Sequence, residues 1–292
     1  MSLRRNTPVE EYPLAVRVSN VPVRIRGPVD ILVKREDLCC DPPGPPFAKV
    51  RGLLIRLQNL KRQGLHTIGY MENSISMNGW GVAWTCAELG MQAVIYDPQY
   101  NCYSEVLDYH RKLWKELGAL IRTNPGGVSK VDFAVCRDTF EKEFGPNATL
   151  LYPGLSFIET VIATAEEVER TIKRLKKRAK TVVVNVGSGI IAAGIWRGFE
   201  KHCPDVIIHG IMGHSGDLTR KMNDIEKNSG LLHQKQLRSK FVLHDPGWKY
   251  TEPSEVPSPF PCNQFYDLKA WEWLVQNFHR LDEPILFWNI GA

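Results

Sequence analysis

Thr181-Val182-Val183-Val184-Asn185-Val186, then Gly187-Ser188-Gly189, then Ile190-Ile191-Ala192-Ala193-Gly194, passes from a β-branched apolar run through a glycine-rich turn into a helix-forming segment. A strand covered on both faces reads as such a run. Strand, turn and helix in this order leave backbone N–H groups and the positive end of a helix dipole at the turn, which suits a phosphate. The turn is neither a full G-x-G-x-x-G fingerprint nor a Walker A sequence, so by itself it is equally an ordinary helix start.

Working outward, the same alternation recurs. Helical spacing relates Val50, Leu53, Leu54, Leu57 and Leu60, with Arg51, Arg56, Lys61 and Arg62 on the other face. Strands are expected at 67–71, 93–97, 119–122, 206–211 and 285–288, and helices at 78–90, 105–118, 133–144, 158–178, 192–202 and 265–278. The stretch 245–262 carries Pro246, Pro253, Pro257, Pro259 and Pro261 and is expected to be a loop. The alternation predicts an α/β protein of two doubly wound α/β domains. The larger domain is expected from residues 1–48 and 151–292, and the smaller from 49–150.

The 292 residues are 43% hydrophobic and 24% charged, which excludes a disordered chain and fits one or two globular cores. No apolar run is long enough to span a bilayer, and Met1 to Pro13 lacks the apolar stretch of a signal peptide. A cytoplasmic protein without membrane contact is expected. Seven scattered cysteines form neither a disulfide framework nor a zinc pattern. His209 and His214 lack carboxylate or cysteine partners at ligand spacing, so no metal is expected. A net charge of +5 tolerates an anionic ligand without identifying nucleic acid as a partner. Lys173-Arg174-Leu175-Lys176-Lys177-Arg178 is read as the cationic end of the 158–178 helix, with DNA contact as the other reading.

Two further turns carry candidate chemistry. Lys49, in Phe47-Ala48-Lys49-Val50-Arg51-Gly52, falls at a helix start, where its cation opposes the dipole. It is either an ordinary exposed lysine or one kept for its amine. Glu72-Asn73-Ser74-Ile75-Ser76-Met77-Asn78-Gly79-Trp80-Gly81 joins a strand to a helix. Its amide and hydroxyl side chains form either a carboxylate cradle or a plain helix cap.

Taken in order, these segments resemble the fold type II pyridoxal-phosphate (PLP) enzymes, the tryptophan synthase β superfamily. They are most like its aminocyclopropane-carboxylate deaminase and cysteine desulfhydrase branch. Lys34-Arg35-Glu36-Asp37-Leu38 matches a motif of that branch, and Lys49-Val50-Arg51-Gly52 matches the segment whose lysine holds the cofactor. Gly187-Ser188-Gly189-Ile190-Ile191 lies where the family has its phosphate loop. Tyr266-Asp267-Leu268-Lys269-Ala270 resembles its tyrosine segment, and Leu286-Phe287 with Asn289-Ile290-Gly291-Ala292 its closing strand and turn. The match runs from about residue 30 to the C-terminus. Met77 stands where the family has its ring-binding asparagine, with Asn78 beside it, and Ile290 where it has a threonine facing the pyridine nitrogen. Ser188 interrupts the glycine run, and Leu268 replaces a glycine.

The resemblance implies a cofactor site in the cleft between the two domains. It implies pyridoxal 5′-phosphate bound as a Schiff base on Lys49, with Asn78, Gly187, Ser188, Gly189, Ile190, Ile191 and Asn289 as further cofactor contacts. It implies Lys49 and Tyr266 as acid–base groups, with Asn73, Ser74 and Ser76 holding the substrate carboxylate or another polar group. Tyr266 is equally well read as core packing. The implied activity is that of a PLP-dependent lyase of deaminase or desulfhydrase type acting at Cα or Cβ of an amino acid. The alternatives are a decarboxylase or lyase acting on an amino acid attached to a nucleobase in phage DNA hypermodification, and a non-catalytic binding protein with a decayed site. The implied partners are an amino acid or amino-acid-modified nucleotide, DNA through the basic surface, and a second copy of the chain. Trp248, Trp271, Trp273 and Trp288 would serve that last contact unless they pack in the core.

Overall fold

A computed structural model describes residues 3–4, 7–13, 30–98, 105–124, 129–231, 237 and 239–292. The chain opens with β1 (Val9–Pro13) and β2 (Asp30–Arg35). Next come α1 (Val50–Arg62), β3 (Thr67–Met71), α2 (Asn78–Leu89), β4 (Gln92–Pro98), α3 (Glu105–Glu116), β5 (Leu120–Asn124), α4 (Lys130–Phe144) and β6 (Ala148–Leu151). α5 (Ile158–Ile172) leads to β7 (Thr181–Val186), α6 (Ile190–His202), β8 (Ile207–Met212) and α7 (Leu218–Ser229). β9 (Lys240–His244), α8 (Asp267–Asn277) and β10 (Ile285–Asn289) complete the order. One compact unit comprises Met1–Leu3, Asp41–Pro45 and Lys49–Thr160, and the other Arg4–Cys40, Pro46–Ala48 and Val161–Ala292.

The first unit holds a parallel four-stranded sheet in the order β5-β4-β3-β6. Phe140 and Cys136 of α4 pack against Met71, Val94, Tyr96 and Leu150 on one side of it. The second unit holds six strands in the order β1-β2-β10-β7-β8-β9, parallel throughout except for β1. Every residue of β7 is buried, as its unbroken apolar run requires. Val182, Val184 and Val186 join a core with Val168, Phe199 and Ile225 of α5, α6 and α7. Val183 points the other way, into a core with Trp271 and Leu274 of α8 and with Phe287. The period of two along β7 thus feeds helical layers on both faces, which makes the sheet doubly wound.

Several expectations are corrected. The helix expected at 158–178 stops at Ile172, so the basic run lies past its end instead of closing it. Like charges at Lys173, Arg174, Lys176, Lys177 and Arg178 would stack at i,i+3 and i,i+4 in a continued helix. The chain instead folds Leu175 and Ala179 back toward the core. α7, β1, β2, β6 and β9 were not expected: the strands are runs of four to six residues, and α7 is mostly polar, although its Met222 and Ile225 pack inward. Trp271 and Trp288 are buried, while Trp248 and Trp273 are packed against the core around Trp271. His209 lies inside β8, and its ring stacks on His244 with 2.9 Å between nitrogens. Among the described residues no helix is long and apolar enough to cross a membrane.

Gly52 in α1 faces the backbone of Thr160 so closely that a Cβ would overlap it. Gly52→Ala should therefore destabilise the protein by about 1–3 kcal/mol or more, read from the midpoint of urea unfolding.

Candidate active site

In the first unit, Lys49 occupies the N-cap position of α1 with helical backbone angles, and its side chain is half-buried. Its ammonium donates to the Gly154 carbonyl at 2.9 Å. Gly154 has φ +80°, a left-handed conformation that favours glycine. The Gly154 N–H donates to the Tyr70 hydroxyl at 3.1 Å, and Asn78 Nδ2 donates to the same oxygen at 2.9 Å. Lys49, Gly154, Tyr70 and Asn78 therefore form one connected chain of polar groups, two of which the sequence had not singled out.

The loop from Asn73 to Asn78 enters α2, and its side chains serve the loop itself. Asn73 Oδ1 accepts from the Ile75 N–H at 3.2 Å, and Ser76 Oγ accepts from the Asn78 N–H at 3.0 Å. Ser74 and Ser76 are buried, whereas Met77 is half-exposed. Glu72 is fully buried beneath the loop and accepts from the Asn73 N–H at 2.9 Å, from the Gly79 N–H and from the Ser76 hydroxyl. Burial pushes its carboxyl up to about 8, against the pull of those donors and of the Lys49 charge. The buried His110 ring bonds the Ser76 backbone, and burial pushes it down to about 4, so it stands neutral.

In the second unit, Gly187, Ser188 and Gly189 form the turn between β7 and α6. Gly189, at φ +89°, is the N-cap, so the N–H groups of Ile190 and Ile191 open the helix. A Cβ on Gly187 would meet only the Tyr266 ring, at 3.9 Å, which leaves an open cradle over the turn. The Lys221 ammonium donates to the Gly187 carbonyl at 2.8 Å and brings a cation to this turn that the sequence did not announce. The Tyr266 hydroxyl lies 3.0 Å from that of Tyr250, and the Tyr266 carbonyl accepts from Asn185 Nδ2 at 2.7 Å. Tyr266 is thus neither a plain core residue nor isolated.

The end of β10 belongs to the same unit. Asn289 Nδ2 donates to Asp37 Oδ1 and to the Pro261 carbonyl, both at 2.9 Å, while its buried Oδ1 has no hydrogen-bond partner among the described residues. Asp37 is itself held by the Arg35 fork at 2.9 and 2.7 Å, so the Lys-Arg-Glu-Asp-Leu motif orients Asn289. Ile290 donates its N–H to Asp267 and accepts from the Ala48 N–H, both at 2.9 Å. Burial raises the Asp267 carboxyl to about 7. The Ala48 bond fixes the residue that precedes Lys49.

An open cradle at helix N–H groups beside a lysine suits a phosphate. A buried acceptor lacking a donor suits a protonated ring nitrogen, and the Lys49 amine suits an aldehyde. Taken unit by unit, these groups fit the parts of pyridoxal phosphate, and with the fold they define the class of PLP-dependent α/β enzymes.

Comparison with known proteins gives the same class. Residues 3–233 match the family model of the pyridoxal-phosphate dependent enzymes, and the chain belongs to that family. It is 36% identical over 296 residues, 98% of each chain, to the glycyl-dTMP PLP-dependent decarboxylase of Pseudomonas phage M6. Its fold is similar to that of an ACC deaminase homologue, with TM-score 0.79 and 19% identity over 100% of this chain and 90% of the other. A hydrogen sulfide-producing enzyme of Fusobacterium nucleatum has TM-score 0.65 and 13% identity over 99% of this chain and 96% of that one. These two show the fold type II architecture.

The raised carboxyl of Glu72 fixes a sign. A carboxyl held at about 8 when folded, against an ordinary value of 4.5, stabilises the fold most below the ordinary value and loses that contribution as pH rises through 8. Glu72→Gln should therefore gain stability relative to the parent between about pH 5 and pH 9, by on the order of a few kcal/mol, in paired unfolding curves.

Proposed function

We propose that the chain is a PLP-dependent decarboxylase that removes CO2 from an amino-acid group carried on a thymine nucleotide. The observation that carries this reading is the 36% identity, over 98% of both chains, to the phage glycyl-dTMP decarboxylase. The deaminase or desulfhydrase reading rests on fold likeness at 19% and 13% identity and is second to it.

When bound, PLP supplies an aldehyde that condenses with amines and a ring that takes up the electron pair left at Cα. Lys49 is the residue that would hold its aldehyde carbon. The N–H groups of Gly189, Ile190 and Ile191, the Ser188 side chain and the Gly187 cradle would hold its phosphate, with Lys221 adding positive charge. Asn289 Oδ1 would accept from the ring nitrogen, and Asn78, fixed by Tyr70, would contact the ring. With substrate and cofactor bound, the Lys49 amine would hold or move a proton at Cα. Gly154, which receives that ammonium in the structure, gives it a resting position. Tyr266, backed by the Tyr250 hydroxyl, is assigned as a second acid–base group. Asn73, Ser74 and Ser76 are assigned to the wall that meets the polar part of the substrate.

The exposed basic run, with Lys173 ion-paired to Glu169 at 2.6 Å, supports contact with DNA phosphates as a secondary feature. Purified protein loaded with PLP should release CO2 from glycyl-dTMP. Lys49→Ala should lose the cofactor's imine absorbance and lower the rate by roughly a thousandfold or more. Ammonia from free amino acids, with no CO2 from glycyl-dTMP, would transfer the assignment to the deaminase reading. A comparison of glycyl-dTMP with glycyl-modified DNA decides whether the basic run takes part.

A further inference from the structure

In the second unit the ammonium of Lys269 is buried between two backbone carbonyls. Lys269 is the third residue of α8, with 1% of its surface exposed. A positive charge in the first turn of a helix opposes the dipole, and burial pushes the ammonium below the ordinary lysine value. It donates to the Gly213 and Lys249 carbonyls, both at 2.8 Å. Gly213 follows the last residue of β8, and Lys249 lies in the proline-studded stretch 245–262, which has neither helix nor strand. These carbonyls belong to the residues immediately before His214 and Tyr250, and those two rings meet edge-on at 5.3 Å. Further bonds join the same two segments. The Ser215 N–H donates to the Trp248 carbonyl at 2.8 Å, and the Asp245 carboxylate accepts from the Ser215 hydroxyl at 2.9 Å and from the Gly216 N–H at 3.2 Å. Tyr250 in turn brings its hydroxyl to within 3.0 Å of that of Tyr266. The Tyr266 ring is the group a Cβ on Gly187 would meet, at 3.9 Å.

We propose that Lys269 is a positioning residue: by holding the Gly213 and Lys249 carbonyls it sets the His214 and Tyr250 rings, and through Tyr250 it sets the hydroxyl of Tyr266 beside the Gly187 turn. The inference rests on the proposed function in one respect, that Tyr266 acts on the substrate. A phenol that moves a proton needs a partner that can take or return one, and the Tyr250 hydroxyl is at that distance. Tyr250 cannot rely on a helix or a strand ladder to fix its backbone, because its stretch has none. The bond to the Lys249 carbonyl lies one peptide away and supplies that fixation. An apolar side chain of equal length would fill the same volume and leave both buried carbonyls without this donor, so the segment would be free to shift. Lys269 also has a shorter path to Tyr266, since its own N–H donates to the Tyr266 carbonyl at 3.2 Å, beside the bond from Asn185 Nδ2 at 2.7 Å. That path is backbone and survives any change of the Lys269 side chain, so only the path through Tyr250 depends on the ammonium.

The test reads the Tyr266 hydroxyl without turnover. PLP-loaded protein is isotope-labelled at the tyrosine Cζ, and the nuclear magnetic resonance signal lost in Tyr266→Phe is followed, since its position reports the hydrogen bond of that hydroxyl. Lys269→Met, which keeps the stem and removes the donors, should move the signal to the place it takes in Tyr250→Phe. In the double variant of Lys269→Met with Tyr250→Phe, the lysine change should add nothing, because its route is already cut. Lys269→Gln, which retains a donor for one carbonyl, should move the signal part of the way and decides the matter if the methionine variant does not fold. With glycyl-dTMP as substrate, Lys269→Met should lower kcat by about ten- to a hundredfold and leave KM nearly unchanged, as expected for a misplaced acid–base group. A Lys269 that only stabilises the fold would lower the midpoint of urea unfolding and leave the Tyr266 signal at its parent position, which overturns the inference. Additive displacements in the double variant overturn it as well, because Tyr250 would then not be the route. If the parent does not decarboxylate glycyl-dTMP, the proposed function fails while the Tyr266 signal still decides the role of Lys269. If CO2 is released but the signal does not move, only the inference falls.

Discussion

The Gly154 carbonyl decides where the Lys49 amine sits. An ammonium at the start of a helix is repelled by the dipole and needs an acceptor of its own. Gly154 supplies one at 2.9 Å because its left-handed backbone turns the carbonyl toward the lysine. The same peptide unit donates to Tyr70, which also receives Asn78. Four elements thereby share one set of hydrogen bonds: the start of α1, β3, the turn after β6 and the start of α2. Any shift of that turn moves the amine and Asn78 together.

In the second unit, fixed charges serve a comparable purpose for Asn289. Its amide nitrogen is occupied by Asp37 and Pro261, so its oxygen is the atom left to act. Arg35 grips Asp37 through two nitrogens. Lys34, one residue earlier and on the opposite face of β2, goes to Glu167 at 2.5 Å and to the Thr7 carbonyl at 2.7 Å. Alternate residues of a strand point to opposite faces, so a short charged string can anchor α5 with one member and aim Asn289 with the next. On the proposed assignment this compensates for Ile290, whose apolar side chain packs on the core.

How much of this was legible follows from the range of the forces involved. β7 and its turn could be read because burial on both faces demands an unbroken apolar run, and a helix start after a strand demands small residues. Lys49, Tyr266 and Asn289 were assigned through ordered resemblance alone, since no spacing rule marks a reactive amine or a hydroxyl pair. Tyr250 lies inside the proline-studded stretch and Lys221 on a polar helix, and they meet Tyr266 and Gly187 through contacts spanning 16 and 34 residues. Such contacts leave no periodic trace. Glu72 was hidden for a different reason. An acidic residue after a strand reads as the solvated end of that strand, and only its three donors and the missing side chain at Gly79 show that it is internal. The basic run was misplaced onto a helix because amphipathic spacing persists locally after like-charge crowding has ended the helix.

The two strand–turn–helix junctions share a plan and differ in what they contain. After β3 the turn encloses its own carboxylate, and a glycine at the second helical position gives that carboxylate room. After β7 the glycine at the turn faces open space, and the nearby charge is the cation of Lys221. Backbone N–H groups at a helix start favour negative charge in both cases, so what distinguishes the two junctions is their side chains. On the proposed assignment, the junction with the added cation would take a phosphate without relinquishing any internal bond. The junction with the added carboxylate would have to break the bonds to Asn73 and Gly79 before it could accept another. The same local fold is thus satisfied from within in one place and open in the other.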